Sequence, residues 1–163
     1  MVKKTIKPGI LPGFTMVELI FVIIIIGVLS AIAIPKLAAS RDDAVVAKGR
    51  SQLSSIRSGI SLLKSKRLLE AKKPYIPRVL DGNTTSPANP SELFHGGVDG
   101  NILEYALPAK SDDGYWERTT ANSVSPIVYV FHLNGTTVEF DYNSTNGSFD
   151  CDHTDENCKD LAE

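Results

Sequence analysis

Residues 14–34, FTMVELIFVIIIIGVLSAIAI, are predominantly apolar and carry a single charged side chain, Glu18. As an α-helix at 1.5 Å per residue, about 21 residues extend roughly 32 Å, the thickness of a bilayer's hydrocarbon core. The thirteen residues before it carry Lys3, Lys4 and Lys7 and no acid. That charge bias puts the N-terminus in the cytoplasm and the C-terminal bulk outside, as a single pass. A cleaved secretory signal is the rival reading. Its apolar core would be shorter and would end at a small-x-small site, which Ser30-Ala31 and Ala33 imitate, so pattern alone leaves it open.

Beyond Pro35 the chain stays helical but changes character. Val46, Gly49, Leu53, Ile56, Ile60 and Leu63 recur at three-four spacing with polar residues between them, which predicts an amphipathic helix over 36–72. Pro74 and Pro77 stop it. Residues 74–126 show no sustained period; a short helix near Pro90–Phe94 and a strand near Ile102–Ala106 are expected there. The alternating runs 127–133 and 136–142 flank Asn134-Gly135, a strong hairpin signal because both residues tolerate positive φ. A second turn at Asn143–Gly147 leads to Ser148–Cys151, which completes a three-stranded antiparallel meander.

Composition narrows the function. A formal net charge of -2 argues against a nucleic-acid binder. The nearest approach to a basic face, Lys64, Lys66, Arg67, Lys72 and Lys73, is interrupted by Glu70 and reads as a solvated helix end. The two cysteines, Cys151 and Cys158, lie in a part of the chain expected to be exported, where disulfides persist. They can close a small loop. A zinc site would need two further ligands, and only His153 is near. No Ser/His/Asp set, carboxylate dyad or nucleotide motif stands out; Gly96–Gly100 lacks the P-loop lysine and reads as a turn. His132 falls on a strand face, as a structural residue.

Glu18 is the awkward residue. A carboxylate inside a membrane helix costs a few kcal/mol on insertion scales and usually marks function. If the chain were cut after Gly13, Phe14 would gain an α-amino group four residues before Glu18. The amine of an axially displaced neighbour could then neutralise Glu18 within a bundle of such helices.

Lys3-Lys4, then Gly13-Phe14-Thr15-Met16-Val17-Glu18-Leu19-Ile20, then an apolar stretch to Pro35, resembles the class III signal of type IV prepilins and type II secretion pseudopilins. The resemblance is close over about the first 40 residues. It implies a leader over 1–13, a transmembrane and filament-core segment over 14–35, and a pilin-like periplasmic domain over 36–163. It further implies cleavage after Gly13 by a prepilin peptidase, N-methylation of Phe14, and a role for Glu18 in assembly. Gly27 and Pro35 match positions where the family's helix bends. The implied fold is α+β, a ladle with a long N-terminal helix packed on a small antiparallel sheet.

The implied function is a non-enzymatic structural subunit. It would self-associate into a filament extruded from the bacterial inner membrane by platform proteins and an assembly ATPase. The alternative is a membrane-anchored periplasmic binding or hydrolytic protein that uses the helix only as an anchor. Many pilus-forming relatives close a C-terminal loop with a disulfide, which the Cys151–Cys158 pair resembles, whereas major pseudopilins usually bind calcium there. No cofactor is otherwise expected. Asp141, Asn143, Asp150, Asp152, Asp155 and Glu156 offer oxygen ligands for calcium but miss the EF-hand spacing, and solvated turn residues account for them better. The choice between pilus and secretion pseudopilus stays open. Asn83 and Asn143 each sit in an acidic-x-Asn-x-Ser/Thr sequence that some bacteria glycosylate, though Asn, Ser and Thr are also plain turn residues.

Overall fold

The computed structural model describes residues 13–82, 91–121 and 125–162. The leader residues 1–12, Pro90 and the Asn83 sequon lie outside the described residues. The chain divides into two compact units, Met1–Ser40 and Arg41–Glu163. Helix α1, Met16–Leu69, belongs to both. In the first unit it is helical through Gly27 and Pro35.

In the second unit the stripe read from the sequence is the buried face of α1. Leu53, Ile56, Ile60 and Leu63 are buried, and Val46 packs at the margin. Against them lies an antiparallel sheet ordered β3-β4-β5-β6, comprising Trp116–Arg118, Ile127–Leu133, Thr136–Asn143 and Ser148–Cys151. The Asn134-Gly135 turn sets the register, with φ of 50° and 78° at its two residues. Leu133 then faces Thr136, Phe131 faces Val138 and Tyr129 faces Phe140. Because side chains alternate across a strand, this register sends Val138, Phe140 and Tyr142 of β5 into the core together. Trp116, Phe131, Phe140 and Phe149 meet with ring centroids 5.0–5.9 Å apart. Two glycines on α1 permit the close approach. A methyl group at Gly49 would lie 2.6 Å from Leu161 and 2.7 Å from the Phe131 ring, and one at Gly59 would overlap the Ile102 carbonyl oxygen.

Several elements differ from expectation, beginning with the sheet, which gains a fourth strand, β3, beside the expected three-stranded meander. No helix forms at 91–94: Glu92–Leu93 is strand β1, paired with β2, Leu107–Pro108, which also replaces the strand expected at Ile102–Ala106. Two-residue strands carry no period to read. Helix α1 ends at Leu69 rather than Lys72, because Ala71 adopts φ 52° and the Lys72 and Ala71 amides turn back to the Arg67 and Leu68 carbonyls. This is a Schellman closure with alanine where glycine is usual. Finally, the C-terminal residues form a short helix, α2, Glu156–Ala162, whose Cys158 and Leu161 are buried.

The basic end of α1 is also not uniformly solvated. Arg67 is buried and pairs with Asp99 at 3.1 Å, donating as well to the Pro74 and Asp99 carbonyls. Burial by itself would raise the Asp99 carboxyl. The Arg78 amide at 2.7 Å, with the Arg78 and Arg67 guanidiniums, outweighs it and holds that carboxyl below its ordinary value. A second buried set joins the 74–82 loop to the sheet. Arg118 pairs with Asp81, whose other oxygen accepts from the Tyr129 hydroxyl at 2.9 Å. Burial first, and then the Asp81 charge, push the Tyr129 hydroxyl well above its ordinary pKa.

Candidate assembly site

The site begins where the polar leader gives way to the apolar helix. Gly13, Phe14 and Thr15 precede the first turn of α1, and Phe14 is 84% exposed. Thr15 is the N-cap. Its hydroxyl oxygen accepts the Glu18 amide at 3.2 Å, while Glu18 Oε2 accepts the Thr15 amide and hydroxyl, each at 3.3 Å. The exchange is a capping box, Thr-x-x-Glu, in which two helix-end amides that lack intrahelical partners are satisfied reciprocally. It also sets the carboxylate at the positive end of the helix dipole, where a negative charge is stabilised. From spacing and membrane cost alone, Glu18 is a charge that a neighbouring helix would neutralise. The spacing from Thr15 was the available signal that it has a partner in its own first turn.

From Met16 to Ile34 the helix is long and apolar enough to cross a membrane, and none of that span is buried by the rest of the chain. Phe21, Ile24, Leu29 and Ile32 on successive turns are each more than half exposed. Moving one such side chain out of water gains about 1.5–3 kcal/mol, so leaving the whole span in water is costly. A methyl group at Gly27 would meet nothing within 4 Å.

At the far end of the chain Cys151 and Cys158 are joined by a disulfide that ties β6 to α2. The weak calcium candidates are engaged in local turns. Asn143 Oδ1 accepts the Thr145 amide and Asp155 Oδ1 caps Asn157 at the start of α2. Asp150 pairs with Arg57 at 2.7 Å. The Thr154 amide and hydroxyl hold the Asp152 carboxyl below its ordinary value. Asp141 lies on β5 opposite Asp150. Among the described residues no three His, Cys, Asp or Glu side chains converge on a metal position. His132 sits half-buried on β4 with its Nε2 3.0 Å from Glu117, and Gly96–Gly100 closes a turn through the Gly100 amide and the Gly97 carbonyl.

No family model matches the chain, and no solved structure matches it. Among curated proteins, it is 35% identical over 101 residues to the type IV major fimbrial protein FimA of Dichelobacter nodosus, a match covering 60% of this chain and 63% of that protein. It is 30% identical over 90 residues to the type II secretion system core protein G of Klebsiella michiganensis, covering 55% of this chain and 61% of that one. The chain thus spans about three-fifths of the length of these curated relatives. The two homologues and the α+β layout support one family, that of the pilins and pseudopilins.

Proposed function

We infer that this chain is a pilin or pseudopilin: a non-enzymatic subunit that polymerises through its N-terminal helix into a filament of the type IV pilus or type II secretion class. The observation that carries the reading is the bare apolar span Met16–Ile34, opened by Phe14, Thr15 and Glu18. An anchor needs only the span. An assembly device also needs a charge that favours one axial register, and Glu18 supplies it.

In this reading a prepilin peptidase cuts after Gly13 and methylates Phe14, with the subunit held in the inner membrane and Arg41–Glu163 in the periplasm. Removal of Lys3, Lys4 and Lys7 makes the mature chain more acidic by three charges. Before assembly the capping box satisfies Glu18 from within its own subunit. During assembly the Phe14 amine of a neighbour approaches the same carboxylate, and the apolar spans exchange lipid for one another under the drive of platform proteins and an ATPase. Gly27 and Pro35 are the positions where the helix would yield, since proline removes a helix hydrogen bond and glycine weakens the helix.

Intact mass and N-terminal sequencing of the membrane-extracted protein test the processing: methyl-Phe14 is expected, and an uncut Met1 or a start beyond Ala33 refutes it. Glu18→Ala should still insert and be cut but should leave filaments undetectable by shearing and electron microscopy. Normal filaments from that variant would refute the pairing.

A further inference from the structure

We propose that the exposed Glu104-Tyr105 corner of one copy seats in the cavity beside Lys66 on a second copy, giving the globular units a direct contact; this rests on the filament reading above. The cavity, of about 610 Å³, opens between the last turns of α1 and the 97–102 loop. Leu63 and Ile102 form its buried floor, while Leu62 and Val98 at its lip are 71% and 62% exposed. Lys66 and Lys72 line the same opening. Arg67, also in the lining, is already matched by Asp99, and Lys72 faces Glu70 at 2.9 Å. Lys66 has no ion pair among the described residues, so the opening carries an unmatched positive charge above an apolar floor.

That combination fits an aromatic residue with an adjacent carboxylate. This chain carries one: Tyr105 is 78% exposed, and Glu104 beside it is exposed as well. Among the other described tyrosines of the second unit, Tyr129 and Tyr142 are buried, Tyr75 is half-buried with Lys73 6.0 Å from its ring, and Tyr115 carries Lys48 and Lys110 over its ring at 4.1 and 4.9 Å. Tyr105 alone among the described residues presents a largely bare aromatic ring outside the first unit. A tyrosine entering a cavity lined by Leu62 and Val98 buries its ring, keeps its hydroxyl near water, and places its face within reach of Lys66. Glu104 then meets the same cation. Corner and cavity adjoin, since Asn101 and Ile102 line the cavity just before Glu104, so one stretch of each copy serves both sides of the contact.

The full-length protein carrying benzoylphenylalanine in place of Tyr105 keeps the aromatic and becomes photoreactive. Illumination of cells should give a covalent dimer whose linked peptide contains Leu62–Lys66 or Val98 of the other copy. Lys66→Glu should lower sheared-filament yield at least tenfold, and Glu104→Lys in the same chain should restore it. Filaments that form without this crosslink overturn the contact and leave the filament reading standing. The crosslink without filaments keeps the contact and overturns the filament reading, and absence of both overturns both. Loss with Lys66→Glu that Glu104→Lys does not restore, in a chain whose Trp116 melting midpoint is unchanged, overturns the proposal.

Discussion

Gly59→Ala should destabilise the second unit, against the direction that helix propensity gives. Within an exposed helix, alanine is better than glycine by about 0.8–1 kcal/mol. At residue 59, however, the added methyl would overlap the Ile102 carbonyl oxygen and come within 2.9 Å of the Ile102 Cγ2. The first of these neighbours is backbone, so no rotamer change relieves it. The 97–102 loop also cannot retreat freely, since the Leu103 amide is bonded to the Phe94 carbonyl and Asp99 is held by Arg67 and Arg78. Overpacking of this kind costs about 1–3 kcal/mol, and with an unyielding backbone neighbour the upper part of that range applies, so a net loss of about 2 kcal/mol is expected after the propensity gain. For a unit spanning Arg41–Glu163, between the size classes that shift about 2–4 and 4–8 °C per kcal/mol, that lowers the midpoint by roughly 6–10 °C. Trp116, the one tryptophan, is buried and packs on Phe131 and Phe140, so its fluorescence follows unfolding of the full chain in micelles. Gly27→Ala is the control: its methyl meets nothing, and the Trp116 midpoint should not move. A midpoint for Gly59→Ala equal to or above wild type would refute the close-approach argument.

Ala71→Gly should do the opposite and stabilise by about 0.5–1 kcal/mol, because glycine takes φ 52° without the penalty alanine carries there; thermal melts of both chains decide it. Asp81→Asn should cost about 3–5 kcal/mol in the same assay, since it leaves the Arg118 guanidinium buried against a neutral amide. Replacing Cys151 and Cys158 by serine opens a short loop and should cost about 2.5 kcal/mol on the chain-entropy estimate, seen as earlier proteolysis of α2. Stability should also fall at both pH extremes. Asp99 is depressed in the folded state, so its contribution is present above the ordinary carboxylate pKa and is lost as pH falls through the folded value. Tyr129 and Tyr142 are raised, chiefly by burial, so their contribution is complete below about pH 10 and is lost as pH rises beyond it. A pH titration of the Trp116 midpoint that stays flat below pH 4 and above pH 10 would contradict this.

What was legible in the sequence was what repeats. The three-four stripe from Val46 to Leu63 declares the buried face of α1, and Asn134-Gly135 declares a hairpin whose register follows from its two-residue turn. The region between Pro74 and Arg118 was not legible, because distant partners decide its structure. Asp81 is held by Arg118 and Tyr129, Asp99 by Arg67, and Tyr142 donates its hydroxyl to the Pro77 carbonyl. None of these pairs has a spacing that signals it. Helix α2 has only seven residues, too few to show a period, and it is fixed by Cys158 and by Leu161 packing near Gly49. At the assembly site the span and Glu18 were plain. The capping partner Thr15 was equally plain in spacing, but it belongs to the chemistry of helix ends rather than of membranes.

The docking of α2 has a consequence for the order of synthesis. Arg50 donates to the Asp160 carbonyl, Arg57 to the Phe149 carbonyl, and Trp116 to Gln52, contacts that join residues made early to residues made last or nearly so. The apolar span therefore leaves the ribosome and can enter the bilayer long before the sheet that covers Leu53, Ile56 and Ile60 exists. During that interval the stripe on the emerging helix has no cover from its own chain, and a core built from such distant contacts closes slowly. On the filament reading, each new subunit would pass through a state with an anchored foot and an open flank, competent to stack only when the last strand and α2 arrive.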